Sequence, residues 1–208
     1  MSSPFWGETP PATPVSPAEA EVIAREVFGI EGTATPLGSN QETNLRVHAG
    51  ERSYVLKIAN PAFGAGVLDL QNSAMQQVGR ARTGLAVPLP VASRDGGHLA
   101  VVPIGGVDHH VRLLTFVEGE MFSDAGYLGD EVLGRFGALA ARLSAALGDF
   151  EHPAADRDLQ YDSRHAERVV DTLAGSVSDR ARRADAIGLS ERTWPTTTWS
   201  PLATTPVG

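Results

Sequence analysis

The run Arg52-Ser53-Tyr54-Val55-Leu56-Lys57-Ile58-Ala59-Asn60 has the alternation of a half-buried strand. Tyr54, Leu56 and Ile58 fall on one face and Val55, Lys57 and Ala59 on the other, so the stretch commits the chain to a sheet. It also sets a lysine among aliphatic neighbours. Of the 17 basic residues, Lys57 is the sole lysine and the other 16 are arginine. An ammonium in such a strand needs an anionic partner or a snorkelling route to water. The strand by itself leaves both open.

The surrounding sequence supplies the rest of a small α+β body. Residues 1–15 contain four prolines and no apolar period, and read as a disordered arm. A helix follows, with Ser16 as N-cap, Pro17 in its first turn, Glu19 completing a capping box, and Gly29 as its end. Val22, Ile23 and Val27 give its apolar side. Three antiparallel strands are expected over residues 33–37, 44–48 and 53–59. The connection over residues 38–43 is small and polar, either an ordinary hairpin loop or one that presents backbone N–H groups and side-chain amides to a ligand.

Beyond the strand bearing Lys57, residues 67–82 read as a helix with a stripe of Leu68, Met75 and Val78. Strands are expected over 85–92 and 98–104, joined by the turn Ser93-Arg94-Asp95-Gly96-Gly97, and then over 111–117 before a break at Glu118-Gly119-Glu120. The strongest helix spans 129–147, with Val132, Leu133, Phe136, Leu139, Leu143 and Leu147 on one face that calls for a core. Residues 158–173 read as a further, charged helix, in which His165 is structural or exposed.

Composition narrows the function. A net charge of −8 without clustered cations argues against nucleic acid as a partner. The chain has no cysteine, which excludes thiolate chemistry and sulfur-built zinc sites. No apolar run reaches the ~18 residues of a membrane span, and the N-terminal residues lack the pattern of a signal peptide. The expectation is a cytoplasmic protein with no membrane partner.

The wording of Tyr54-Val55-Leu56-Lys57-Ile58-Ala59-Asn60-Pro61, Leu68-Asp69-Leu70-Gln71-Asn72, Val111-Arg112-Leu113-Leu114-Thr115 and the stretch from Arg157 to Ala166 resembles the aminoglycoside phosphotransferase family. Within it the likeness is to the hydroxylysine-kinase-like branch, whose bacterial members are often fused to class III aminotransferases. The resemblance covers roughly residues 17–178. It implies a protein-kinase-like fold: an N-lobe with hinge over 16–117, a partial helical C-lobe over 118–185, and an unstructured tail over 186–208. Lys57 would pair with nucleotide phosphates. Ser39, Asn40 and Gln41 would belong to the phosphate-covering loop, and Leu114, Thr115, Phe116 and Val117 to the hinge that meets adenine. The helix-borne acid that usually orients the lysine falls near Gln71, with Asp69 close by.

The family's H-x-D-x-x-x-x-N loop, which supplies a base and a Mg²⁺ ligand, and its I-D-F-G-like metal stretch do not occur in these residues. No catalytic or metal residue is therefore assigned. The family wording stops near Ala186. A shifted reading frame across residues 192–200 permits D-x-x-x-x-N, although it allows arginine or glycine where the family has histidine. The expectation is an interrupted C-terminus, with a genuine Thr/Pro-rich tail as the alternative. Together these readings imply part of an ATP-dependent kinase acting on a small-molecule hydroxyl, such as an amino alcohol, a hydroxylysine-like compound or an aminoglycoside, inactive as it stands. Exposure of the 129–147 helix would favour a dimer. The alternatives are a non-catalytic ligand-binding module associated with an aminotransferase, and an unrelated α+β fold in which Lys57 only snorkels.

Overall fold

The first helix starts where local rules put it. Ser16 lies in extended backbone before α1 (Pro17–Phe28). Its hydroxyl accepts from the Glu19 N–H at 3.3 Å, while its own N–H donates to the Glu19 carboxylate at 2.8 Å. Gly29 closes the helix in the left-handed region at φ 70°, and the Ile30 N–H reaches back to the Ala24 carbonyl. The buried side is Ala20, Ile23, Ala24 and Phe28. The expected stripe is thus rotated: Val22 is exposed and Val27 half-buried, because the small alanines line the helix where it lies on the sheet.

The computed structural model describes residues 11–39, 41–81, 83–121, 124, 126–127, 129–157 and 166–193. Among these, the sheet has six strands: β1 (Thr33–Leu37), β2 (Thr43–Ala49), β3 (Arg52–Ile58), β4 (Pro90–Val91), β5 (Ala100–Ile104) and β6 (Val107–Thr115). All pairings are antiparallel, in the order β1-β2-β3-β6-β4, with β5 paired to β6. Helix α2 (Ala65–Arg80) follows β3.

Two strands differ from the sequence expectation. Pro88 and Pro90 lack N–H donors, and the strand expected over 85–92 contracts to Pro90–Val91. In the other direction, β6 begins at Val107 because Gly105 and Gly106, at φ 59° and 81°, form a tight turn that pairs it with β5 as a hairpin.

The alternation of β3 resolves as expected. Tyr54, Leu56 and Ile58 are buried together with Leu45, Val47, Val111, Leu113 and the inner side of α1. Full burial of each Leu or Ile in this layer contributes on the order of 1.5–3 kcal/mol. The opposite face carries Val55 and Lys57.

The arm is tied down in its described part. The Thr43 hydroxyl donates to the Thr13 carbonyl at 2.5 Å, and Val15 packs against the core, so residues 11–15 are not a free segment. Pro10–Asp156 make one compact unit, which runs past the expected lobe boundary at 117. Helix α3 (Asp130–Ala146) belongs to this unit. Its apolar face is not in a core: Val132, Leu133, Phe136, Leu139 and Leu143 are 37–54% exposed.

Arg157 and the described residues 166–193 belong to a second unit. Its described part contains α4 (Ala166–Leu173), a 3₁₀ turn (Ala174–Ser176) and α5 (Arg180–Thr193). The Asp179 carboxylate accepts from the N–H groups of Ala181 and Arg182, at 2.9 and 3.1 Å, capping α5. Helix therefore occupies residues 186–193, which were expected in an unstructured tail, because a capped run rich in Ala and Arg favours helix. Residues 158–165, which carry family wording, and 194–208, which hold most of the frame-shifted run, lie outside the described residues.

Candidate functional site

Lys57 stands on the face of β3 turned away from α1, in register with Asn44 of β2 and Arg112 of β6. Two side chains hold its ammonium: Nζ donates to Asn44 Oδ1 at 3.0 Å and lies 2.7 Å from Glu42 Oε2. Glu42 sits immediately before β2. Its second oxygen, Oε1, accepts from Arg112 Nη2 at 3.4 Å, so one carboxylate spans both cations.

Arg112 is 1% exposed. Its Nη1 donates to the Leu68 carbonyl at 3.4 Å and to Asn72 Oδ1 at 3.3 Å, both on α2. Asn72 is itself fixed, donating from Nδ2 to the His98 carbonyl at 3.0 Å. Burial pushes the Arg112 guanidinium below its ordinary pKa, and the Glu42 carboxylate opposes the shift.

Beside this polar group lies a cleft of about 590 Å³. Lys57, Gln71 and Arg112 give it a polar end, while Val55, Ala74, Met75, Pro88 and Leu114 give it apolar walls. Thr115, Phe116 and Val117 complete the lining. That last segment is pinned: Thr115 N–H donates to the Leu89 carbonyl at 2.9 Å, and Leu89 N–H to the Thr115 hydroxyl at 2.8 Å. Phe116 N–H donates to the Ser53 carbonyl at 3.0 Å. The Arg46 guanidinium stacks 3.9 Å above the Phe116 ring and also pairs with Glu118.

Of the residues singled out from the sequence, the cleft brings together Lys57, Gln71, Leu114, Thr115, Phe116 and Val117. Ser39 and Gln41 do not line it. The Ser39 hydroxyl accepts from the Glu42 N–H at 3.2 Å, and the Gln41 carbonyl accepts from Asn60 Nδ2 at 3.2 Å, so both shape the loop that delivers Glu42. Asn40 lies outside the described residues. Asp69 turns elsewhere and meets His152 Nε2 at 3.1 Å; the partner of Lys57 is Glu42. Sequence reasoning missed Glu42, Arg112 and Asn72. The available signals were an arginine inside an apolar strand, an asparagine one helical turn from Leu68 on a buried stripe, and the sole acid of the 38–43 loop.

An apolar slot with one cationic end fits a nucleotide: a flat heterocycle in the slot and phosphates at the ammonium. The described residues bring together no group of three or more His, Asp or Glu side chains able to hold a metal ion. No helix among the described residues is long and apolar enough to cross a membrane.

Comparison with known proteins gives concordant results. The profile of the phosphotransferase enzyme family matches residues 33–203. Hydroxylysine kinase of Mus musculus is 27% identical over 164 residues, covering 71% of this chain and 43% of that protein. An amicoumacin kinase solved with AMP-PNP, Ca²⁺ and Ami is similar in fold, with a TM-score of 0.62 at 14% identity over 85% of this chain and 53% of its own. A microcompartment-associated aminopropanol kinase gives 0.56 at 17% identity, over 76% and 54%. A spectinomycin phosphotransferase solved with ADP and spectinomycin gives 0.54 at 11% identity, over 87% and 54%. The chain spans about half the length of these relatives, 43–54%. The architecture is the kinase-like one expected from the sequence.

Proposed function

The chain belongs to the phosphotransferase enzyme family, and from that premise we propose that its cleft is the nucleotide half of an ATP-dependent small-molecule kinase. The observation that supports this most is the placement of the sole lysine at the polar end of an apolar cleft. Val55 and Leu114, side by side across β3 and β6, would take the adenine ring with Met75 and Pro88. Thr115 to Val117 would meet its edge. Lys57 would place a point charge at the phosphates, where catalysis of phosphoryl transfer depends on positioning and charge stabilisation. Ser39, Asn40 and Gln41, in the loop before Glu42, would cover them, and Gln71 would face them from α2.

The acceptor in this reading is the hydroxyl of an amino alcohol, a hydroxylysine-like compound or an aminoglycoside. These 208 residues contain no H-x-D-x-x-x-x-N loop, so the proposal is that they bind nucleotide without turning it over. A cytoplasmic location and self-association through the exposed face of α3 belong to the same proposal.

The test is ADP titration followed by thermal unfolding, together with a phosphotransfer assay on the three acceptor classes. Saturable stabilisation by ADP without turnover supports the reading. Robust, Lys57-dependent turnover would remove the claim of inactivity, and no response to millimolar ADP would remove the nucleotide site.

A further inference from the structure

Helix α2 presents neutral amides, Gln71 and Asn72, toward the side of the sheet where Lys57 stands. Its nearby acid, Asp69, is engaged with His152. The carboxylate on Lys57 comes instead from the loop before β2.

Lys57 and Arg112 are directly paired across the ladder, an arrangement in which like charges repel. Glu42 answers both cations with separate oxygens, at 2.7 and 3.4 Å. Arg112 is too deeply buried for water to screen it; its Nη1 is spent on α2, at the Leu68 carbonyl and Asn72, and its buried Nε finds no partner among the described residues. The chain of contacts from α2 to the ammonium is therefore continuous: Asn72, Arg112, Glu42, Lys57.

We propose that Glu42 is the positioning residue for Lys57, and that Arg112 and Asn72 transmit the placement of α2 to it. The inference rests on the nucleotide reading of the cleft and assigns the orienting role to the loop instead of the helix. Glu42 holds the ammonium at the mouth of the cleft while Asn44 fixes its second direction. Asn72 does not line the cleft, so its effect on nucleotide is indirect, by way of Arg112 and of the α2 placement it secures at the His98 carbonyl.

A single lysine makes the test direct, because its ¹⁵Nζ resonance is unambiguous. ADP is titrated into the wild type, E42Q, E42D and N72A, with affinity and the Lys57 ¹⁵Nζ signal both recorded. The expected result is a Nζ signal in E42Q moved toward that of free lysine, with ADP binding weakened about tenfold. E42D recovers part of both, and N72A weakens ADP several-fold. If Glu42 competes with phosphate instead, E42Q binds ADP more tightly, and the proposal is overturned.

An unmoved Nζ signal with equal ADP affinity in E42Q overturns it as well. A wild type that ignores ADP overturns the nucleotide reading itself, and with it the purpose assigned to Glu42. Should E42Q fail to fold with Arg112 left uncompensated, E42Q/R112M carries the same readout without that buried charge.

Discussion

Lys57 and Arg112 stand opposite each other on β3 and β6, with the carboxylate of Glu42 shared between them. The two cations differ in surroundings: the Lys57 side chain is 18% exposed and that of Arg112 only 1%. Arg112 thus depends on Glu42 for compensation, while Lys57 remains within reach of a ligand at the cleft.

Removing the shared carboxylate should be costly. E42Q leaves a buried guanidinium without its counter-charge, an effect of about 3 kcal/mol, whereas R112M removes the cation and should cost less. The double variant should resemble R112M, so the coupling in a denaturation cycle should match the E42Q cost, about 3 kcal/mol. Strict additivity would show that the two side chains do not share a charge balance.

Gly32 is required by packing at the β1–β2 edge. A Cβ there would collide with the backbone carbonyl of His48 and press on Val47, and the carbonyl has no freedom to retreat. Gly32→Ala should destabilise by about 1–3 kcal/mol. Gly38→Ala, with nothing within 4 Å of its added carbon, should stay within about 0.5 kcal/mol. Equal midpoints for the two variants in urea would contradict this.

The Ser16 hydroxyl, and then its N–H, hold the Glu19 carboxyl below the ordinary glutamate pKa. A depressed folded value means that the contribution is complete above the unfolded pKa and fades as pH falls through the folded one. Ser16→Ala should cost about 1 kcal/mol at neutral pH through loss of the cap. The gap between wild type and variant should narrow on acidification below the ordinary glutamate range. A gap that widens in acid would reverse the sign argued here.

The exposed face of α3 should be adhesive. Phe136 and Leu133 are each 54% exposed beside Leu139 and Val132, and a contiguous apolar surface of this kind favours association. Sedimentation should show oligomers growing with concentration, abolished by Leu133→Glu. A monomer across the whole range would remove the proposed contact.

What the sequence made legible was local. The α1 capping box, the alternation of β3 and the apolar face of α3 follow from spacing over a single turn or strand, and the kinase-like fold followed from wording along the chain. The pairing of Glu42 with Lys57 was not legible, because it depends on the register of β2 against β3 and β6, which no short window encodes. Arg112 is a lone cation in a hydrophobic strand, and only the register sets it opposite Lys57. The rotation of α1 escaped for a related reason: Ala20 and Ala24 carry little hydrophobic weight, yet they line the side that meets the sheet. The pattern of α3 specified an apolar stripe that calls for a core, but the spacing within one helix does not encode what covers it, and its residues stand exposed.

The central claim is that Lys57 makes this cleft a nucleotide site, and its most direct measurement is ADP affinity of wild type against Lys57→Met by calorimetry. The account predicts saturable binding by the wild type and at least a tenfold loss in the variant, about 1.4 kcal/mol, with the fold retained. Equal affinity in the two proteins, or no binding by a folded wild type, would contradict it.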